Sequence, residues 1–276
     1  MYLDAIVMWG ASQNSYRRWF VVYLDTDEGL ALRQRAARAI AKYGEGGEIV
    51  GSAAVQVDQA MYLGELQDAR RAGADAIMLL LNATDSIVYT GQQQDLGVDI
   101  PVLMLPDEIS QTRDYIAASR FLSPDHNPRF RLATWETTFK DDGAEAFNLR
   151  YEARWSEPVD PTAWAAYHAV KILFEAVAAT GTLDGMALVE YLESPGAVFD
   201  VLKGPGVSFR PWDHQLRQPI HVVGVDQEAP WQRTVLSTRI GIAAFVAELP
   251  PPALGMDQVE RLDLLGDGAA ESSCRF

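Results

Sequence analysis

Two short runs of apolar residues constrain the fold more than any other feature of the sequence. They are Trp19–Asp25 (WFVVYLD), which is apolar up to its final aspartate, and Ala76–Leu81 (AIMLLL). A continuous apolar run of this length is typical of a strand that is buried on both of its faces. Such strands belong to parallel sheets that carry helices on both sides, so the runs indicate an α/β protein.

The first part of the chain repeats this strand and helix pattern. Amphipathic helices are predicted from Asp27 or Glu28 to Tyr43, over Met61–Ala72 and over Ser86–Leu96, and further strands over Glu48–Val57 and Pro101–Leu105. Strands and helices that alternate at roughly 25-residue spacing predict a parallel, doubly wound sheet.

After this repeat the pattern changes. A strand is predicted at Phe130–Trp135, and helices at Asp141–Trp155, Thr162–Ala179 and Gly185–Leu192. The helix Thr162–Ala179 is apolar over most of its circumference, which predicts burial on several sides. Two short strands, around Val207–Arg210 and Pro219–Val225, are predicted to form a hairpin through the turn Pro211–Asp213.

The charge of the chain excludes some classes of partner. It contains 23 Lys and Arg residues against 38 Asp and Glu residues, a formal net charge of −15. Phosphate backbones and anionic membrane surfaces would repel such a chain, so we expect no nucleic acid partner. No run of about 18 uninterrupted apolar residues is present, so we expect no direct membrane insertion. High negative charge is typical of soluble, monomeric proteins, and we expect a monomer.

Motifs of catalysis and of metal binding are missing from the sequence. The single cysteine, Cys274, and the four histidines form no CxxC, HxH or HxxxH pattern. The sequence also lacks GxSxG, a Walker A loop and GxGxxG. We therefore expect no metal, no cofactor and no enzymatic activity.

Polar residues follow three of the predicted strands, where doubly wound sheets bind their ligands. These strand ends are Asp25–Glu28, Asn82–Ser86 and Asp107–Glu108, and a tryptophan ends the strand Phe130–Trp135. The candidate ligand-binding residues are Asp25, Asp27, Asn82, Thr84, Asp85, Asp107, Glu108 and Trp135.

Each candidate also has a structural interpretation. The residues that follow Leu81 either bond to a solute or cap the next helix. The carboxylate pair after the last strand either grips an amine or caps a helix in the same way. Asp25 and Asp27 either hold a cation or form a capped turn, and EF-hand spacing is absent there. Trp135 either stacks on a solute or belongs to the core.

Several segments together resemble the type I periplasmic binding proteins of the leucine/isoleucine/valine-binding family. They are the strand-to-helix turn Asp25–Gly29 followed by AxxAIxKYG, GELQDARRAGADAIMLLLNATDS, and WAAYHAVKILFEAVAATGTLDGMALVEYLES with the following VLKGPGVSFRPWDHQLRQPIHVV. A subgroup associated with pyrroloquinoline-quinone-dependent alcohol dehydrogenases is more similar still. Its resemblance rests on YRRWFVVY, TWETTF, KGPGVSFRPWDHQLRQPI and the LDLLG…CRF ending.

The resemblance implies two lobes with a solute in the cleft between them. Met1–Trp135 and residues 225–276 match the second lobe, and Glu136–Gly224 match the returning half of the first. The opening half of the first lobe has no counterpart, which implies that the chain begins part-way through a longer precursor. The helix Thr162–Ala179 would then lack the sheet that it should cover, and we expect exposed apolar surface there.

The resemblance also implies a function. Such a protein is the substrate-binding component of an ABC transporter, is periplasmic, and delivers a small-molecule solute to a membrane permease. In the family, a Ser/Thr loop of the unmatched half holds most of the ligand, so no ligand residue is carried over to this chain. Alternatives are a truncated fragment that binds nothing, an α/β enzyme without a recognisable catalytic motif, and a sensory module of the same fold.

Overall fold

The computed structural model describes residues 1–122, 130–225, 232–234, 237–239, 243–272 and 274. Its helices are α1 (Tyr2–Asn14), α2 (Asp27–Tyr43), α3 (Leu63–Arg71), α4 (Ala83–Asp95), α5 (Arg113–Leu122), α6 (Ala144–Trp155, after a short 3-10 turn at Asp141–Gly143), α7 (Pro161–Thr180), α8 (Gly185–Leu192) and α9 (Gln258–Leu262). Its strands are β1 (Arg18–Leu24), β2 (Glu48–Val55), β3 (Ala76–Leu80), β4 (Val102–Met104), β5 (Phe130–Ala133), β6 (Ser208–Phe209), β7 (Leu216–Arg217), β8 (Ile220–Val225), β9 (Gln232–Thr234), β10 (Ser237–Arg239) and β11 (Ala243–Leu249).

A four-stranded parallel sheet organises the first half of the chain. Its strand order is β2-β1-β3-β4, so the first strand lies inside the sheet. Val21 of β1 pairs with Ser52 of β2 on one side and with Met78 of β3 on the other. The predicted parallel α/β sheet is therefore confirmed.

Helices cover both faces of this sheet. Trp19 and Val21 of β1 pack with α1 and α2 on one face. Phe20 and Val22 point to the other face, where they pack with side chains of α3 and α4. All four side chains are buried, because successive residues of a strand point to opposite faces and both faces are covered.

A second, antiparallel sheet has the order β11-β8-β5. The predicted hairpin between Val207–Arg210 and Pro219–Val225 is wrong, because β6 pairs with β7 instead. The amide of Arg210 donates to the carbonyl of Gln215, and this bond closes the loop before Pro219 is reached. Since β8 is the middle strand between β5 and β11, the segment 220–224 lies with the strands that the sequence assigned to the second lobe.

A separate apolar core joins α6, α7 and the segment 197–207. Its centre is a pair of tryptophans, Trp135 and Trp164, whose rings stack at 5.5 Å with an angle of 9°. Both indole nitrogens are satisfied, since Trp135 donates to Asn148 Oδ1 and Trp164 to the carbonyl of Val201. Buried aromatic residues are well stabilised where their polar atoms find such partners.

One side of α7 carries a large exposed apolar surface, as the resemblance predicted. Only a single stripe of the helix is buried, at positions spaced by three or four residues that include His168, Ile172 and Ala176. Phe174 is 73% exposed, and exposed apolar side chains continue onto α8. The prediction that α7 is buried on several sides is therefore wrong for the chain as described. Within the described residues, no single helix is long and apolar enough to span a membrane; only α7 and α8 taken together across a 103° bend pass that test.

The closing segment of the chain, which follows α9, is hydrogen-bonded to α1 and to the β6–β7 hairpin. Asp4 of α1 is fully buried, pairs with Arg35 of α2 at 2.6 Å and accepts the amide of Gly266 at 2.8 Å. The buried guanidinium of Arg210 donates to the carbonyl of Leu265. Because a buried carboxylate needs both charge and hydrogen-bond partners, Asp4 ties three parts of the chain together.

We predict that two neighbouring residues of α7 respond very differently to truncation. Ile172 is 5% exposed, and Ile172→Ala should lower the free energy of unfolding by about 2–4 kcal/mol, because it leaves a cavity. Phe174→Ala should change it by less than about 0.5 kcal/mol. Urea denaturation of both variants checks this, and an equal loss in both would mean that the exposed face is covered in solution.

Candidate functional site

The topology places a crevice beside the end of β1. From β1 the chain passes through α2 to β2, which lies on one side of β1. From β3 it passes through α4 to β4, which lies on the opposite side of the sheet. The connections therefore leave β1 and β3 in opposite directions. In doubly wound sheets a ligand site forms at this switch point, outside the carboxyl ends of the two strands.

The turn after β1 presents two exposed carboxylates at the switch point. Asp25 is exposed, and its Oδ2 accepts a hydrogen bond of 3.0 Å from Gln56 Nε2. Thr26 is the N-cap of α2, because its side chain accepts the amide of Gly29. Asp27 is the first residue of the helix and is also exposed. The capping role thus falls to Thr26, which leaves Asp25 and Asp27 facing solvent.

Gly29 sets the closeness of α2 to β1. A Cβ atom at this position would lie 2.0 Å from the carbonyl oxygen of Leu24, which is a backbone atom and cannot rotate away. Only glycine permits this approach, so Gly29 determines how the turn Asp25–Asp27 is held at the edge of the sheet.

The turn after β3 is held by an internal hydrogen-bond network. Asn82 is the N-cap of α4 and accepts the amide of Asp85 at 2.8 Å. Asp85 is 1% exposed, and its carboxylate accepts bonds from Tyr62 Oη at 3.0 Å and Asn82 Nδ2 at 2.7 Å. Thr84 remains exposed. The structure therefore gives Asn82 and Asp85 the capping and bracing roles, and leaves Thr84 accessible.

Asp107 braces the turn after β4 in a similar way. Its Oδ2 accepts the amide of Ala83 at 3.1 Å, and its Oδ1 accepts the amide of Ser110 at 2.6 Å. These bonds connect the ends of β3 and β4, so Asp107 fixes the positions of the turns that follow these two strands. Glu108 beside it is exposed.

The sequence analysis missed the end of β2. Gln56, Val57 and Asp58 follow this strand and are exposed, and the amide of Asp58 lies 3.3 Å from Asp85 Oδ2. The signal was the same as at the other strands, polar residues directly after an apolar strand. We call residues 25–28, 56–59, 82–86 and 107–110 the strand-end surface. It contains no lysine or arginine. Its five exposed carboxylates are Asp25, Asp27, Glu28, Asp58 and Glu108.

Trp135 is not part of this surface. Its ring is fully buried between Trp164, Phe139 and Phe147. A solute cannot reach a ring that is enclosed on all sides, so Trp135 is a core tryptophan rather than a solute-stacking residue. Its position at a strand end looked the same in the sequence as that of a binding residue.

A polar cavity of about 360 Å³ lies where β5 leads into α6. His221 and Glu248 line it from the antiparallel sheet, with Asp141, Asp142 and Lys203 on the other side. Glu248 pairs with Arg261 at 2.5 Å and lies 3.8 Å from His221 Nε2. Burial lowers the pKa of His221 to about 4, against the opposing effect of Glu248.

Lys203 is the least exposed ammonium group near this cavity. It donates to Gln218 Oε1 at 2.8 Å and to the carbonyl of Pro219, and its Nζ lies 5.0 Å from the ring centre of Trp164. Burial lowers the pKa of Lys203 well below its ordinary value. Two acceptors and one aromatic face match the three donors of an ammonium group, which makes Lys203 a structural residue.

Among the described residues, no group of three or more His, Cys, Asp or Glu side chains is arranged to hold a metal ion. The exposed carboxylates of the strand-end surface are spread over three separate turns. What this surface can do is offer acceptor oxygens and negative charge to a small molecule.

Comparison with protein families gives one match. A profile described as periplasmic binding protein matches residues 1–230, which is most of the chain. No curated protein sequence matches.

Three solved structures with a similar fold are described as parts of ABC transporters. An ABC transporter substrate-binding protein from Sphaerobacter thermophilus has a TM-score of 0.73 at 19% identity, covering 90% of this chain and 64% of its own. A branched chain amino acid ABC transporter periplasmic ligand-binding protein from Burkholderia xenovorans has a TM-score of 0.70 at 19% identity, covering 91% and 63%. A solute binding protein of an ABC transporter from Rhodopseudomonas palustris, in complex with 3,4-dihydroxy benzoic acid, has a TM-score of 0.61 at 19% identity, covering 89% and 63%. The chain thus spans less than two thirds of the length of these proteins.

We predict that the glycine at the start of α2 cannot be replaced without cost. Gly29→Ala should lower the free energy of unfolding by more than about 1 kcal/mol, since the new methyl group collides with the backbone. Gly64→Ala in α3 is the matched control: a Cβ there meets no atom within 4 Å, so stability should rise by about 0.5 kcal/mol. Denaturant titration measures both, and equal effects would contradict the close approach.

We predict an acid-dependent loss of stability that depends on His221. Its pKa in the folded chain, about 4, lies below the value of 6.5 in the unfolded chain, so protons bind to the unfolded state first as the pH falls. The contribution is complete above pH 6.5 and is lost between 6.5 and about 4, by up to about 3 kcal/mol.

Denaturation of the His221→Gln variant across this pH range should show a shallower slope than the parent chain. Some slope should remain in this variant, because burial also lowers the pKa of His168. Parallel curves for the parent and the His221 variant would refute the assignment.

Proposed function

The chain belongs to the periplasmic binding protein family, and from that premise we propose that it serves in the solute-binding component of an ABC-type transporter. In this proposal the strand-end surface is one wall of a cleft and holds a small solute. The observation that carries the proposal is the switch point between β1 and β3, where exposed polar side chains stand on rigid, buried strands.

Rigid support is the first argument for this surface. Asp85 and Asp107 hold the turns after β3 and β4 through bonds to backbone and side-chain donors. A binding surface gains precision when its contact residues are fixed by a second set of hydrogen bonds. We therefore assign solute contact to Asp25, Asp27 and Thr84, and a positioning role to the two braced carboxylates.

The other residues of the strand-end surface are assigned in the same way, either to solute contact or to positioning. Glu108 is exposed and adds to the contact set, while Asn82 is committed to the cap of α4. Gln56 joins the surface through its bond to Asp25. The surface is thus a set of acceptors spread over the ends of all four strands.

Charge complementarity narrows the class of solute. Five exposed carboxylates and no basic side chain on this surface would repel a solute that carries a carboxylate. A neutral molecule rich in hydroxyl groups, or a cationic amine, fits the same surface, because carboxylate oxygens accept hydrogen bonds from both. The proposed cargo is therefore a polyol or an amine.

The remaining parts of the proposal follow from the family and from resemblance. The solute is bound without covalent change, is handed to a membrane permease, and is captured in the periplasm. The structural relatives are themselves described as transporter or periplasmic binding proteins. A link between the cargo and pyrroloquinoline-quinone-dependent alcohol oxidation rests on the sequence segments alone.

We predict that a calorimetric binding assay will give different affinities for polyols or amines and for carboxylates. At least one polyol or amine should bind, and carboxylates of the same size should not. Asp25→Asn should weaken an amine hit by about tenfold or more, since a hydrogen bond to a charged group contributes about 1.5–3 kcal/mol.

The matched control is Asp95→Asn, an exposed carboxylate at the far end of α4. It changes the net charge by the same amount but lies away from the strand-end surface, so affinity should stay within about twofold of the parent. Preferential binding of carboxylates, or equal losses in the two variants, would overturn the assignment of the solute to this surface.

A further inference from the structure

The polar cavity of about 360 Å³ before the start of α6 has an exposed rim and a buried floor. Lys140, Asp141 and Asp142 form the rim, and all three are exposed. His221 and Lys203 also line the cavity but are only 6% and 7% exposed, so it reaches from the surface down to buried groups. None of the described residues that line it belongs to the strand-end surface. Its volume lies in the range of small-molecule sites.

Two turns with an unusual backbone form one wall of this cavity. Asp142 and Leu202 have positive φ angles of 51° and 63°, although neither is glycine. Such a conformation persists only where the surrounding structure enforces it, and it is common at ligand sites. The two turns lie against each other, since a Cβ atom at Gly204 would be 3.5 Å from Asp142 Oδ2. The wall is therefore a fixed arrangement of two turns that brace each other.

Three carboxylates of the lining can accept hydrogen bonds from a guest. Glu248 Oε1 pairs with Arg261 at 2.5 Å, whereas Glu248 Oε2 lies 3.8 Å from His221 Nε2, which is beyond hydrogen-bond distance. Within the described part of the chain, the carboxylates of Asp141 and Asp142 form no ion pair or hydrogen bond. A guest that donates several hydrogen bonds therefore fits this cavity.

Charges of both signs in the lining disfavour a charged guest. The carboxylates of Asp141 and Asp142 at the rim would repel an anion, and the ammonium groups of Lys140 and Lys203 would oppose a cation. Glu248 adds little net charge, because Arg261 neutralises it. A neutral guest with several hydroxyl groups avoids both repulsions, and its hydroxyls can donate to the carboxylates and accept from the donors.

The lining also has an apolar side, which Phe139 and Leu202 provide. The ring of Phe139 is partly exposed and lies 4.4 Å from the ring of His221, measured between ring centres. The negative face of an aromatic ring attracts carbon-bound hydrogens, which a saturated ring carries on both of its faces. An aromatic ring beside carboxylates thus suits a ring-shaped molecule with hydroxyl groups around its edge.

We propose that this cavity is a second binding site, which takes a neutral cyclic polyol of about the size of a monosaccharide. Hydroxyl groups of the guest donate to Glu248 Oε2 and to the carboxylate of Asp142, and its ring contacts Phe139. The site is independent of the strand-end surface, so it stands or falls without the proposed transport function.

The test compares three sugars that share one ring and differ in charge. Glucose is neutral, glucosamine is mainly cationic, and glucuronate is anionic. Binding to the whole chain is followed by NMR through the carbon-13-labelled methyl groups of Leu202, which lines the cavity. The methyl groups of Val57 report on the strand-end surface, and those of the exposed Leu149 of α6 report non-specific contact.

We expect glucose to shift the Leu202 signals in a saturable manner and to leave the Leu149 signals unchanged. Glucosamine and glucuronate should bind at least about threefold more weakly, because each brings a charge into a lining of both signs. Asp142→Asn should weaken glucose roughly three- to tenfold, since a neutral acceptor replaces a charged one while asparagine tolerates the positive φ. Asp95→Asn, an exposed carboxylate of α4, is the matched control and should change the affinity by less than about twofold.

Phe139→Leu tests the aromatic contact and should weaken glucose by about threefold. Phe147→Leu is its matched control, because Phe147 also packs on Trp135, at 5.7 Å against 5.6 Å for Phe139, but does not line the cavity. A merely structural effect would change both affinities equally. If Phe139→Leu fails to fold, Asp142→Asn decides the question alone.

The proposal is overturned if glucose produces no saturable shift at Leu202, or if either charged sugar binds better than glucose. It is equally overturned if Asp142→Asn and Asp95→Asn have the same effect. A saturable shift at Val57 alone would assign the polyol to the strand-end surface and would reject the cavity site. A shift at Leu202 alone supports the cavity site and leaves the proposed function to its own test.

Discussion

Burial of β1 and β3 on both of their faces is the constraint on which the rest of the structure depends. A strand without a solvent-facing side must be covered by helices above and below, and these are α1 and α2 on one face and α3 and α4 on the other. Polar side chains can then appear only where the strands end. The same burial that stabilises the sheet therefore gathers the polar residues at one edge.

At that edge, most polar groups serve the protein itself. Helix N-termini leave backbone amides without partners, and Thr26 and Asn82 supply them with side-chain acceptors. Asp85 and Asp107 are drawn inward by several donors each. Only residues not needed for this bracing, such as Asp25 and Thr84, remain available for a solute. The strand-end surface is acidic because its turns expose Asp and Glu residues and contain no Lys or Arg.

In the second half of the chain, the side chains left exposed at the edge of the core are apolar rather than polar. Around Trp135 and Trp164 a compact core is closed and both indole nitrogens are paired, but the outer side of α7 and α8 stays apolar and open. An extended apolar surface of this kind is unusual for an isolated globular chain. The buried Asp4 and Arg210 contacts hold the closing segment in place.

The sequence by itself determined the strands and helices from β1 to β4 and their parallel arrangement, because continuous apolar runs and amphipathic periods are local signals. It also located three of the strand ends, at Asp25, Asn82 and Asp107. It could not determine which of those residues cap helices and which face solvent, since both roles favour the same side chains. Nor could it determine the pairing of β8 with β5 and β11 or the burial of Trp135. These depend on contacts between residues far apart in the chain, and only the tertiary structure decided them.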